Sequence, residues 1–143
     1  ERAYYDLDGR RVQPSGVAQG ERLVAIITVT ADAARQARLI VNDPLPAGFE
    51  IDNPNLIKAG DIAGIQWLGL EEQAAHTEFR ADRFVAAIDR ELGSRPQFQL
   101  AYRLRAVSPG VFAHPAATVE DMYRPQQRGW TGTATVEVRE AGR

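Results

Sequence analysis

Glu120, Asp121, Met122, Tyr123 and Arg124 stand in consecutive positions and end at Pro125. Two carboxylates, a thioether, a phenol and a guanidinium are costly to bury together, and a plain surface loop has no need of them. The acids and Arg124 can orient a loop through charge-assisted hydrogen bonds. Tyr123 offers both a ring and a hydroxyl. Met122 adapts to an irregular apolar surface. This chemistry makes Glu120, Asp121, Met122, Tyr123 and Arg124 candidate contact residues. A competing reading keeps the run internal, with Met122 and Tyr123 tucked into a core and Arg124 paired with Glu120 or Asp121. Trp130, which follows Arg128-Gly129, is a further contact candidate, either exposed or plugging an interface.

Bond-making chemistry has little to work with. The chain has no cysteine, which removes disulfides, thiolate metal sites and a cysteine nucleophile. Ser15, Ser94 and Ser108 lie in turn sequence, without the base, the orienting acid or the glycine-flanked elbow of a serine nucleophile. His76 and Glu78 share one face of a strand, a geometry that permits metal ligation and equally describes an exposed polar strand. His114 precedes Pro115 and reads as a solvated loop residue. Asp43 and Glu50, or Glu120 and Asp121, are carboxylate pairs in sequence, which is not a catalytic geometry. No phosphate loop or dinucleotide glycine pattern occurs. The expectation is a protein that is not an enzyme and takes no cofactor and no metal.

The elements that position these residues are strands. From Gln97 to Val107 the residues alternate: Phe98, Leu100, Tyr102, Leu104 and Ala106 face a core, while Gln97, Gln99, Ala101, Arg103 and Arg105 face water. Thr133 to Glu140 repeats the pattern, with Ala134, Val136 and Val138 inward. Leu23 to Thr30 is apolar on both faces and rich in β-branched residues, as a central or doubly covered strand would be. Ala3–Leu7, Arg38–Val41, Gly64–Leu68 (with Trp67) and Phe84–Asp89 predict shorter strands. Glu78 to Phe84 alternates charges and reads as a solvated face with cross-strand pairs, the alternative being a partner-facing or substrate-facing polar strip; Arg103 and Arg105 in an adjacent strand are candidates to lie opposite its acids. Asp8-Gly9 predicts a hairpin turn and Ser108-Pro109-Gly110-Val111 a type II turn. Pro14-Ser15-Gly16 and Gly93-Ser94-Arg95-Pro96 punctuate loops. The prolines of Asn42 to Gly48 predict a rigid connection that cannot pair as a central strand. Ala31–Ala37 and Leu70–Ala75 leave room for one short helical segment. The fold class expected is all-β, an antiparallel β-sandwich of about seven strands, with a closed barrel as the alternative.

The 143 residues suffice for one domain with its own core, so residues 1–143 are expected to form a single domain. The 44% hydrophobic and 25% charged content is that of a globular protein. A net charge of −2 with interspersed signs argues against a nucleic-acid or anionic-membrane partner. Lys58 is the only lysine; arginine suits bidentate pairs with carboxylates, although codon usage produces the same skew. No apolar run approaches the ~20 residues of a membrane helix. The chain opens on Glu1 with no leader pattern, so a fragment of a larger protein is expected, any export signal lying elsewhere.

Two resemblances add to this reading. Gly20 to Thr30, followed by Ile40-Val41-Asn42-Asp43-Pro44-Leu45-Pro46-Ala47-Gly48-Phe49, resembles many bacterial extracellular β-sandwich modules, including repeat domains of surface adhesins. It supports the fold and little else. The more specific resemblance is carried by Glu78 to Ile88, Tyr102 to Phe112 and Pro115 to Pro125, in that order, with Tyr5-Asp6-Leu7-Asp8-Gly9 at the start. Over nearly the whole chain the sequence resembles the C-terminal macroglobulin-like domain of bacterial alpha-2-macroglobulins.

That resemblance implies a macroglobulin-like, immunoglobulin-like sandwich within a periplasmic, membrane-tethered lipoprotein that traps proteases. In the family a bait region is cut, a thioester is exposed and the attacking protease is captured. The thioester element, Cys-Leu-Glu-Gln, is absent here, because there is no cysteine. The domain would be non-catalytic and would stabilise the native state by packing on the thioester-bearing domain and neighbouring macroglobulin-like domains. Target proteases would be partners of the whole protein, with no membrane contact by this part. A cell-surface adhesin or carbohydrate-binding sandwich is the alternative.

Overall fold

The computed structural model describes residues 1–31, 35–52 and 76–142. Its strands, in chain order, are β1 (Arg2–Tyr5), β2 (Arg11–Val12), β3 (Val17–Ala18), β4 (Arg22–Thr30), β5 (Ala37–Pro44), β6 (Phe49–Ile51), β7 (His76–Arg80), β8 (Arg83–Arg90), β9 (Gln97–Ala106), β10 (Gly110–His114), β11 (Thr118–Asp121), β12 (Arg128–Trp130) and β13 (Ala134–Arg139). No helix occurs among the described residues.

The strands form three sheets. One runs β2-β1-β4-β9-β6, the second β12-β11-β5-β8-β7, and the third β10-β13-β3. The pairings are antiparallel apart from β13 with β3. The all-β sandwich class holds, because alternation dominates the long strands. All five inward residues predicted on β9 are buried, and Gln97 and Gln99 are exposed. β4 is central, paired with β1 on one side and with β9 from Arg22↔Arg105 to Thr30↔Gln97 on the other.

Its two faces do different work. Ala25, Ile27 and Val29 join Leu39 and Val41 of β5, Phe84, Ala86 and Ile88 of β8, and Val136 and Val138 of β13 in one core. Burying a large apolar side chain of this kind contributes roughly 1.5–3 kcal/mol. On the other face Val24 and Ile26 form a small cluster against Tyr5 and Ala101.

Several expectations are corrected. The described residues hold thirteen strands rather than about seven: β2, β3, β6 and β12 are two or three residues long and too short to show a period, and β10 and β11, of five and four residues, fall in sequence read as turn and loop. Asn42-Asp43-Pro44 is the end of β5, a paired interior strand, and not a free connection. Proline is tolerated there because β11 stops opposite Asn42, so that Pro44 keeps one neighbouring strand only. Gly110 opens β10 at φ 144, away from the roughly +80° of a type II turn. Ala134 is exposed, since it starts β13 beyond the apolar cluster. β1 ends at Tyr5, and Leu7 lies exposed in the turn before Gly9, whose φ is 92. In that turn Asp6 Oδ1 accepts from the amides of Asp8 and Arg10, both at 2.9 Å. Arg103 and Arg105 do not face the acids near Glu78. They approach Asp52 at 3.5 Å and Glu50 at 2.9 Å, in the other large sheet. The strand predicted at Gly64–Leu68 with Trp67, the segment Leu70–Ala75 and the centre of Ala31–Ala37 lie outside the described residues.

Candidate interaction site

β11 delivers the acidic, aromatic run to a tight connection with β12. The frame of that connection is Asp121, whose side chain is 5% exposed. Its Oδ1 accepts from the Tyr123 amide at 2.9 Å, and its Oδ2 from Arg124 Nη1 at 3.1 Å. An aspartate bonding two residues onward in this way imitates a backbone turn. The amide of Arg124 donates to Asp121 O and that of Gln127 to Arg124 O, which closes the loop. The loop is also fastened to β5, by the Met122 amide on Arg38 O at 2.8 Å and by Arg124 Nη1 on Gln36 O at 3.0 Å.

On this frame Met122 is 55% exposed and Tyr123 64%. The internal reading of the run is therefore half right. Arg124 does pair with Asp121, but Met122 and Tyr123 point to solvent, because the bonds at Asp121 and Arg38 turn the backbone away from the core. Glu120 is exposed on β11, in register with Arg128 of β12. Trp130 is 70% exposed and sits across from Thr118, at the opposite end of the β11–β12 pair. The structure thus gathers Asp121, Met122, Tyr123 and Arg124 into one site and leaves Trp130 apart.

A second constellation was missed by the sequence reading. Asp43 is fully buried at the end of β5. Arg2 Nη1 donates to its Oδ1 across the sandwich, and the Tyr102 hydroxyl donates to its Oδ2 at 2.5 Å. Tyr102 stacks on Phe84, ring centroids 4.8 Å apart. Arg2 Nη2 donates to Pro115 O at 2.9 Å. Beside it, the Tyr4 hydroxyl lies 2.8 Å from His114 Nε2. His114 is thus buried and partnered, contrary to the solvated loop residue expected, because β10 ends inside the sandwich and not before it. The signals were faint: Arg2 and Tyr4 share one face of β1, and Asp43 is in phase with Leu39 and Val41.

Burial governs these groups electrostatically. It pushes the Tyr4 and Tyr102 phenols up, with nearby Asp43 adding to it, so both stay protonated. It raises Asp43 too, against the opposing pull of Arg2 and of the Tyr102 bond. His114 is pushed down to about 4, by burial first and by the Arg2 charge second. The constellation therefore presents occupied hydrogen-bonding groups rather than a poised base or nucleophile. Among the described residues no cluster of His, Asp or Glu has the makings of a metal site.

The sequence profile of the bacterial alpha-2-macroglobulin MG10 domain matches residues 1–126. An alpha-2-macroglobulin of Xylella fastidiosa is 38% identical over 135 residues, covering 90% of this chain. The solved structure of Escherichia coli alpha-2-macroglobulin activated by porcine elastase superposes with a TM-score of 0.80 at 34% identity, covering 97% of this chain and 13% of that one. The native E. coli protein, solved from domain MG7 to the C-terminus, gives 0.78 at 31% identity, covering 97% of this chain and 23% of that one. The chain belongs to the bacterial alpha-2-macroglobulin family, as its MG10 domain. It spans 8% of the length of the Xylella relative.

Proposed function

We propose that residues 1–143 form one non-catalytic domain of a periplasmic, membrane-tethered protease trap, and that this domain stabilises the trap's native state. The observation that carries the reading is the loop after β11: Met122 and Tyr123 are held out to solvent by a backbone bonded at Asp121 and Arg38, with the Arg124 side chain fastened to Gln36 O. Large exposed side chains on a rigid frame are the pattern of a contact hot spot. On this reading the partner is the thioester-bearing domain, with neighbouring macroglobulin-like domains around it, and family membership supports it. The E. coli neighbour is described as activated by porcine elastase, and by analogy a protease would engage the parent of this chain.

The test uses the full-length parent carrying Met122→Ala and Tyr123→Ala together. Both side chains are exposed, so the isolated chain should unfold within about 0.5 kcal/mol of the unaltered one. The full-length variant should convert to the activated form without protease, read as a mobility shift on a native gel. Conversion at the unaltered rate would end the reading. The adhesin alternative calls for a platform of exposed rings, whereas Tyr123 and Trp130 lie at opposite ends of the β11–β12 pair. Calorimetric titration of the chain with glycans should accordingly give no heat of binding.

A further inference from the structure

Two successive inward residues of β1 grip the last residue of β10 and the first residue of the crossover that follows it. Tyr4 holds His114 at 2.8 Å, and Arg2 holds the carbonyl of Pro115 at 2.9 Å. His114 ends β10 in the third sheet, and residues 115–117 then cross to β11 in the second. The same guanidinium binds Asp43 at the end of β5, with its side chain only 4% exposed. β5 and β11 are neighbours, paired from Asn42↔Thr118 to Leu39↔Asp121. Arg2 therefore ties β5 to the start of β11 at one end of the ladder. At the other end, the carbonyls of Arg38 and Gln36 hold the contact loop. Register along this ladder decides which way each side chain points, because a one-residue slip turns every one to the opposite face.

We propose that Arg2 is a positioning residue: by bridging Asp43 and the Pro115 carbonyl it couples the seating of β1 to the placement of Met122 and Tyr123, so that displacing β1 releases the loop. The planar fork of arginine presents donors in two directions at once, whereas a lysine ammonium is a point charge on a flexible stem. Arg2→Lys should keep the attraction to Asp43 and let the crossover go. The consequence for the trap rests on the contact reading above, but the coupling itself does not.

Amide hydrogen exchange on the 143-residue chain tests the coupling. In Arg2→Lys the amides of Asp121 and Met122 should exchange about tenfold faster or more, the loss expected for one hydrogen bond to a charged group. The β4–β9 ladder should keep its rates. Tyr4→Phe should act on the same two amides. Unchanged rates at Asp121 and Met122 would overturn the proposal. So would a uniform acceleration throughout the sandwich, which would mean that Arg2 supports the fold at large. Should Arg2→Lys fail to fold, exchange of the unaltered chain in rising urea decides instead. The β1–β2 ladder and the amides of Asp121 and Met122 must then open at one common free energy, below that of the β4–β9 ladder; two separate values, or one value shared with β4–β9, would refute the coupling. If exchange responds as expected while the Met122 and Tyr123 variants leave the parent unchanged, the contact reading fails and the coupling stands.

Discussion

A carboxylate at the position of Asp43 is tolerable only because both its oxygens are occupied, one by Arg2 and one by Tyr102. Tyr102→Phe keeps the stack on Phe84 and leaves one oxygen without its partner. The expected cost is about 1–3 kcal/mol in urea unfolding, and a variant as stable as the unaltered chain would show that solvent replaces the phenol. His114 gives the pH counterpart. Its pKa is about 4 when folded against an ordinary 6.5. Between those values the unfolded chain takes up a proton that the folded chain refuses, so stability falls as pH drops from 6.5 toward 4 and this contribution is constant below. Tyr4 and Arg2 face the ring, with Asp43 beyond them. Asp43, raised by burial, acts in the opposite sense, since its folded form takes the proton first. Comparison with His114→Gln isolates the imidazole: the unaltered chain should lose its urea midpoint more steeply over that window. Equal slopes would remove His114 from the account. The Asp121–Arg124 frame was legible in the sequence because its members are three residues apart. The buried network was not, because its partners are 41, 59, 110 and 113 residues apart, and no local pattern records such pairings.

β9 and β4 read correctly over nearly their whole length, but the end of β5 reads as a free connection and the pairing of the sheets is not legible. Alternation says which side of a strand is buried, not which strand lies next to it. The third sheet shows this. β10 carries Phe112, whose ring lies over the backbone of Gly48 and beside Gly110. A Cβ on Gly48 would stand 2.3 Å from the ring's Cε2. Gly48 also offers its carbonyl to the amides of Val107 and Ser108, so its backbone has little room to retreat. Gly48→Ala should therefore cost about 1–3 kcal/mol through overpacking. Adding Phe112→Leu should restore part of the loss, measured by urea unfolding. If the pair of substitutions is simply additive, the ring is not what excludes the methyl group.

For the molecule as a whole, the family match ends at residue 126, yet the sandwich continues beyond it. β13 is the middle strand of the third sheet, antiparallel to β10 and parallel to β3. Val136 and Val138 are each 2% exposed within the main core. Removing them forfeits roughly 1.5–3 kcal/mol of burial apiece. It also strips β3 and β10 of a ladder partner and uncovers Val17 and Phe112. A domain whose net stability is about 5–15 kcal/mol cannot absorb all of these losses at once. The chain cut after Gln126 should accordingly lose its cooperative unfolding transition, while a cut after Arg139 should keep it. The β11–β12 connection would suffer as well, since Gln127 O accepts from the Asp121 amide and Thr131 Oγ1 from that of Ala117. The residues past the matched region thus hold the β11–β12 loop and the core together. A shortened chain ending at Gln126 with an undiminished denaturation midpoint would show that β13 is an accessory to the sandwich and not one of its walls.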